Sequence, residues 1–374
     1  MAWRVPLADV RITEPDVDAV MSAYRSGWLS MGPRTQQFEA AFAEYLGVRH
    51  AVAVSSGTAA LHLMYAGCEI GPGDEVVLPS MTFVATAAPL RHLGAVPVFA
   101  DIVSELEPWL SPRAVESVIG PATKAIVHMP YGGHPGEVEA LEALATRHRV
   151  LLLQDAAHAV GAKAGDRHVG VIGHAAAFSF FSNKNLAIGE GGMVVTNDET
   201  IAERVRRLRS HGMTTLSWDR QRGRAEGYDI EQIGFNYRLD DPRAAFGLNR
   251  LARLDEDNAR RAAHADQYRA AFSGHVSCAM PAQPGATSAN HLFTIVAEGV
   301  RRDTLRQKIA EHGVQTSVHY PPVHHFTAFR DGSTSLPVTE RYGEQTVTLP
   351  LFGHMTASQH RLVVDAVMSA LEPA

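Results

Sequence analysis

Residues 50–67 read HAVAVSSGTAALHLMYAG. The run AVAV is apolar without alternation, which suits a strand covered on both faces of a largely parallel sheet. The strand ends at Ser55 and Ser56, Gly57 permits a tight turn, and Thr58 opens a helix. The same pairing recurs outward. EVVL, VPVFA, KAIVHM and VLLLQD are further short apolar runs, and QQFEAAFAEYLG and PGEVEALEALATRH carry apolar residues at three- to four-residue spacing. Alternation of strand and helix signals as far as residue 250 predicts an α/β fold, a large domain with a mostly parallel central sheet flanked by helices.

The texture changes around DDPRAAFGLNRLARLDEDNARRAAHADQYRAAFSG, which reads as one long charged, alanine-rich helical stretch. Beyond it come the loop PAQPGATSA, the strand HLFTIVAE and the helix RRDTLRQKIAEHG. These predict a small C-terminal α+β domain over 251–374, with residues 1–250 forming the large domain and the N-terminal segment packing on the small one.

The 374 residues, 45% hydrophobic and 20% charged, have the composition of a soluble globular protein with a sizeable core. With 34 basic and 40 acidic residues the net charge is −6, which argues against a nucleic-acid partner. Cys68 and Cys278 match neither a disulfide framework nor a metal-binding pair and read as small buried hydrophobes. The opening MAWRVPLADV lacks the features of a secretory signal, and no apolar run is long enough to span a bilayer. The expected location is the cytoplasm, with no membrane partner.

Three segments carry chemistry. In VAVSSGTAALHL the strand–Gly–helix junction aims backbone N–H groups and a hydroxyl at an anion, although Ser-Ser-Gly-Thr equally describes an ordinary helix cap. In VLLLQDAAHAVGA, Asp155 follows directly on an apolar strand, where open α/β sheets bind ligands, and His158 comes three residues later, although the pair also reads as a helix cap and a hydrogen-bonded packing residue. In FSFFSNKNLAIGEGGMVVTND, residues 178–198, Lys184 stands among aromatic and aliphatic residues, where a lysine either snorkels outward to solvent or is held neutral for chemistry. There Phe178, Phe180 and Phe181 are expected to pack a strand so that Ser179 and Lys184 face one way, with Gly189, Gly191 and Gly192 turning the backbone beside it. A phosphate turn, a strand-end Asp and a downstream lysine with a nearby serine are the set that pyridoxal 5′-phosphate (PLP) needs: a Schiff-base lysine, a carboxylate for the pyridine nitrogen, and amides with hydroxyls for the phosphate.

The sequence resembles the DegT/DnrJ/EryC1/StrS family of aminotransferases, fold-type I PLP enzymes that mostly aminate nucleotide-linked keto-sugars. The resemblance runs in order through GWLSMGPRTQQFEAAFAEYLGVRHAVAVSSGTAALHL, GPGDEVVLPSMTFVATA, GAVPVFADI, QDAAHAVGA, the lysine stretch, GFNYRLDDPRAAFGLNRL, VHYPPVH and LPLF. It implies that Lys184 is the catalytic lysine and proton carrier and that Asp155 pairs with the pyridine nitrogen. His158 would lie on the ring-hydroxyl side, Gly57, Thr58, Ala59 and Ser179 would bind phosphate, and Phe83 would stack on the ring. Asn236 would reach the phosphate of a neighbouring subunit, making a homodimer with shared sites, and His319 and Tyr320 would stand near the substrate mouth. L-glutamate is the implied amino donor and a keto-sugar the acceptor, as in amino-sugar or antibiotic biosynthesis.

The sequence departs from the family pattern at Asn183, where Thr is common, at SELEPWLSP, and in the long segment HGMTTLSWDRQRGRAEGYDIEQI, whose arginines suit either a nucleotide diphosphate or a solvated charge run. An acceptor that is a keto-cyclitol or other non-nucleotide ketone stays open. A sugar dehydratase of the same family is disfavoured by the intact Lys184, and a PLP-binding regulatory protein by the presence of Lys184, Asp155 and Phe83 together. The His-rich SVHYPPVHH reads as a Pro-shaped loop with solvent-exposed imidazoles. A metal site there would need a convergent third ligand, which the sequence does not show, so none is expected.

Overall fold

Each short apolar run of the first half becomes one strand of a single sheet in the computed structural model, which describes residues 3–215, 223 and 227–372. The strands are β1 (His50–Val54), β2 (Glu75–Pro79), β3 (Val96–Ala100), β4 (Thr123–His128), β5 (Leu151–Asp155), β6 (Ala175–Ser179) and β7 (Gly192–Thr196). Helices of ten residues or more are α1 (Glu14–Arg25), α2 (Pro33–Leu46), α3 (Gly57–Gly67), α4 (Val138–His148), α5 (Glu199–Leu208), α6 (Asp241–Leu251), α7 (Leu254–Phe272), α8 (Arg302–Glu311) and α9 (Ala357–Leu371).

The sheet order is β1-β7-β6-β5-β4-β2-β3. Neighbours from β6 to β3 are parallel, and β7 alone is antiparallel, to both β1 and β6. β1 therefore runs the same way as β6. The carboxyl ends of β1, β2, β4, β5 and β6 open together on one edge of the sheet, where ligands of open α/β folds bind.

Both faces are covered, as unalternating apolar strands require. Val52 and Val54 join a core with α3 and α5, while Ala51 and Ala53 face α2 together with Phe178 and Phe180. On that second face Phe42 meets Phe178 at 5.2 Å and Phe38 meets Phe180 at 5.3 Å between ring centroids. α4 covers Val77, Ile126 and Leu152 farther along the sheet.

A second, antiparallel sheet pairs β8 (Ser277–Cys278), β9 (Phe293–Val296) and β10 (Thr346–Leu349). Tyr268 and Phe272 of α7 pack with Phe293, Leu305 of α8 and Val363 of α9 to form its core, which Val5 of the N-terminal segment joins. The long helical stretch expected after residue 239 is broken. α6 stops at Leu251 and α7 starts at Leu254, where Asp255, Glu256 and Asp257 place three carboxylates in a first turn, the position at which they favour a new helix start. Cys68 is buried and Cys278 half-buried. No helix among the described residues is long and apolar enough to cross a membrane. Arg220, Arg222 and Arg224 of the arginine-rich segment lie outside the described residues.

Candidate active site

The strand ends meet in register. Val54 and Ser179 both pair with Gly192, so the junction after β1 lies two strands from the end of β6 yet touches it. Ser56 caps α3, its Oγ accepting from Ala59 N–H at 3.1 Å and its carbonyl accepting from Ala60 N–H at 3.0 Å. A Cβ on Gly57 would stand 2.7 Å from Ser179 Cβ, so only glycine lets the start of α3 close on that serine. The Gly57 and Thr58 amides of this first turn have no helical carbonyl to bond, and together with the Ser179 hydroxyl they make a donor set suited to an anion.

A cavity of about 380 Å³ opens over this edge. Gly57, Thr58, Phe83, Asp155, His158, Ser179, Lys184, His319 and Tyr320 line it. Ala59 is buried beneath, its N–H bonded to Ser56. Asn236 is exposed, bridged to Ser210, and is not part of the lining. Phe83 stands 54% exposed and tilted against Tyr320, an aromatic wall free on its cavity side.

Asp155 ends β5 and is buried. Its Oδ2 accepts from Thr86 Oγ1 at 2.6 Å and its Oδ1 from Ala157 N–H at 3.2 Å. Burial nonetheless raises its pKa against these bonds and against the Lys184 charge. Burial pushes the Lys184 amine down to about 8, with Asp155 pulling the other way. The imidazoles around them are kept neutral. His158 lies well below its ordinary value through burial, then through Lys184 and His319, and burial takes His319 to about 4. His158 Nε2 lies 2.9 Å from the Tyr320 hydroxyl, which burial keeps protonated. The site thus joins an amine that loses its proton as pH rises through about 8 to a buried carboxylate and several neutral polar groups, which suits proton transfer at one carbon.

Two buried polar atoms of cavity residues, His158 Nδ1 and Asn183 Oδ1, have no hydrogen-bond partner within the protein among the described residues. Such atoms call for a bound partner, so Asn183, noted in the sequence only as a departure from the family pattern, lies at the site itself. Sequence reasoning also missed Thr86 and His291. Thr86 sits in the MTFVATA segment already singled out for Phe83, whereas His291 follows a loop and carries no local signal. Phe178 and Phe180 pack as expected, but Phe181 does not. It is 44% exposed at the cavity, because the chain leaves the sheet after Ser179 and the strand alternation that would bury it ends there.

The His-rich loop also differs from expectation. His324 is buried rather than solvent-exposed, because its Nδ1 meets Ser80 Oγ at 2.7 Å and its Nε2 meets Glu340 at 3.2 Å. Glu340 brings a third potential metal donor to His324 and His325, all within 4.8 Å, a convergence that sequence could not show. The Ser80 and Glu340 contacts already satisfy both nitrogens of His324.

The model of the DegT/DnrJ/EryC1/StrS aminotransferase family matches residues 10–368. Among solved structures, the aminotransferase TlmJ from Streptoalloteichus hindustanus is 34% identical, with 98% of each chain covered and a TM-score of 0.92. DesV from S. venezuelae, solved with a ketimine intermediate, is 38% identical over 96% of this chain and 95% of its own, with a TM-score of 0.88. Spr1654 from Streptococcus pneumoniae, described as a candidate sugar aminotransferase, is 26% identical in its PLP form, with 98% of each chain covered and a TM-score of 0.92, and is also solved in a PMP form. An amine-bearing cavity at the carboxyl edge of a mostly parallel sheet, a match over nearly the whole chain and these neighbours lead to one conclusion: the chain belongs to the DegT/DnrJ/EryC1/StrS aminotransferase family and is a PLP-dependent transaminase.

Proposed function

We propose that the cavity at the end of β5 and β6 is the cofactor site, and that the protein moves an amino group from L-glutamate to a keto-sugar carried on a nucleotide. The observation that carries this reading is the placement of Lys184. Its amine stands in the same cavity as the strand-end carboxylate of Asp155, and burial holds it near the pKa a proton carrier needs. When bound, the cofactor supplies a protonated pyridine ring that draws off the electron pair left on the substrate carbon. Asp155 holds that ring proton, and Thr86 and Ala157 fix the carboxylate that does so. Gly57 and Thr58 at the start of α3, with Ser179, would hold the phosphate, with Ala59 closing that turn beneath them through its bond to Ser56, and Phe83 would stack on the ring. His158 would stand on the ring-hydroxyl side, held by the Tyr320 hydroxyl at its Nε2.

Lys184 Nζ takes the proton from the amino donor and returns it to the acceptor carbon. Asn236, exposed and outside the cavity of its own chain, serves the site of a second copy in a homodimer. His319 and Tyr320 border the acceptor. The keto-sugar reading is supported by the family and by Spr1654, the candidate sugar aminotransferase.

The test is to load the protein with cofactor, convert it with L-glutamate, and offer a panel of nucleotide-linked keto-sugars beside free keto-cyclitols. Amino-sugar nucleotide formed with loss of glutamate is the expected product. Turnover confined to the free cyclitols would overturn the acceptor assigned here.

A further inference from the structure

His291 reaches Lys184 from the far side of the chain. It follows the 281–289 loop, just before β9, and is 6% exposed. Its backbone is fixed by a bond from His291 N–H to Gly132 O at 2.8 Å, while Ala289 N–H bonds Gly133 O at 3.0 Å. Its Nε2 lies 3.5 Å from Lys184 Nζ, and its Nδ1 lies 3.1 Å from Asn185 Oδ1.

The surroundings settle where the single proton of this neutral ring sits. Asn185 places its other terminal atom 2.7 Å from the carbonyl oxygen of Ala289 and 2.7 Å from Asn258 Oδ1. A carbonyl oxygen only accepts, so that atom is the amide nitrogen, and the atom facing His291 is the amide oxygen. An oxygen that only accepts requires N–H on His291 Nδ1. Nε2 is then bare, with its lone pair toward Lys184. Asn258 is held in turn by its Nδ2 bond to Val160 O at 2.9 Å, so neither amide is free to reverse the arrangement. The titratable groups facing the ring are Lys184, His158, His319 and Arg261, and with burial they keep it neutral.

We propose that His291 is a positioning residue whose Nε2, fixed as an acceptor by Asn185 and Asn258, anchors the free amine of Lys184 opposite Asp155. A free lysine beside a buried carboxylate would otherwise swing onto it as an ion pair. The Nε2 acceptor holds one N–H and leaves the rest of the amine facing the cavity, where it picks up and returns the substrate proton. The inference rests on Lys184 being the cofactor lysine, and it adds a role for a residue from the second half of the chain.

The experiment uses the full-length, cofactor-free protein. The sequence has four lysines, Lys124, Lys163, Lys184 and Lys308, so isotope-coded acetylation followed by peptide mass spectrometry reads each one as pH is varied. An N–H···N bond is stronger from an ammonium than from an amine, so removing the acceptor lowers the midpoint. In His291→Leu the Lys184 labelling midpoint should fall by about one pH unit from its wild-type value, the scale of one hydrogen bond to a charged group. His291→Gln, which keeps an acceptor, should restore most of that shift. In the wild-type protein, ¹⁵N-histidine spectra assigned against His291→Gln should show Nδ1 protonated and Nε2 bare, a readout that needs no folded Leu variant.

A protonated Nε2, an unmoved midpoint in a folded His291→Leu protein, or His291→Gln behaving like Leu would overturn the proposal. Borohydride trapping of the cofactor on wild-type protein is read separately. Label on Lys184 with no effect of the His291 variants sinks this inference alone, while label on another lysine sinks the functional reading beneath it.

Discussion

At the scale of single residues, the site is an electrostatic arrangement in which burial does most of the tuning. Lys184 is lowered by burial and partly restored by Asp155. Its neutral fraction therefore grows as pH rises through about 8, and the rate at which cofactor-free protein captures PLP should rise with pH and level off above that value, followed by absorbance in stopped flow. A midpoint near the ordinary lysine value would show that the amine is not held as described.

Asp155 depends on Thr86 for one of the two bonds that favour its ionised form. Thr86→Val removes that bond, so the carboxyl keeps its proton to higher pH. Turnover at neutral pH should fall about tenfold, the worth of one hydrogen bond to a charged group, and the acidic limb of the pH–rate profile should move upward. Unchanged kcat with an unmoved limb would remove Thr86 from the account.

At the scale of elements, close approaches set the geometry. The start of α3 reaches Ser179 only because residue 57 has no side chain. Gly57→Ala would push α3 away, and we expect a loss of about 1–3 kcal/mol of stability with weaker PLP binding, measured by denaturant titration and cofactor dissociation. Ser179→Gly in the same protein should recover stability but not cofactor affinity, because it returns the space and not the hydroxyl.

α2 shows a different long-range device. Asp241 at the start of α6 accepts from Gly32 N–H at 2.8 Å, Thr35 N–H at 3.0 Å and Thr35 Oγ1 at 2.8 Å, so a carboxylate more than 200 residues away caps α2. These cases mark what was legible. Strands and the residues at their ends could be read because apolar runs, turn glycines and a terminal Asp are local signals. The Asp241 cap and the His291 contact could not, because each joins segments more than a hundred residues apart. Phe181 departs from its expected packing for the reverse reason, since a local run of aromatics does not reveal where the strand stops.

At the scale of the whole molecule, the carboxyl ends of β1, β2, β5 and β6 bring most cavity residues to one edge, the segment after α8 adds His319 and Tyr320, and the segment before β9 brings His291 to Lys184. Asn236 is exposed and outside that lining. If it serves a second copy, Lys184→Ala and Asn236→Ala proteins, each impaired alone, should on mixing and subunit exchange recover up to about a quarter of wild-type activity, since half the dimers are mixed and each has one intact site. Mixing that restores nothing, with exchange verified by mass, would place Asn236 outside the site.

Peptide mapping after borohydride reduction of the PLP-loaded protein identifies the lysine that carries the cofactor, for which we propose Lys184. With four lysines in the chain the result is unambiguous. We expect a stable phosphopyridoxyl group on Lys184 and none after Lys184→Ala, whereas the group on Lys124, Lys163 or Lys308, or on no lysine, would contradict that assignment.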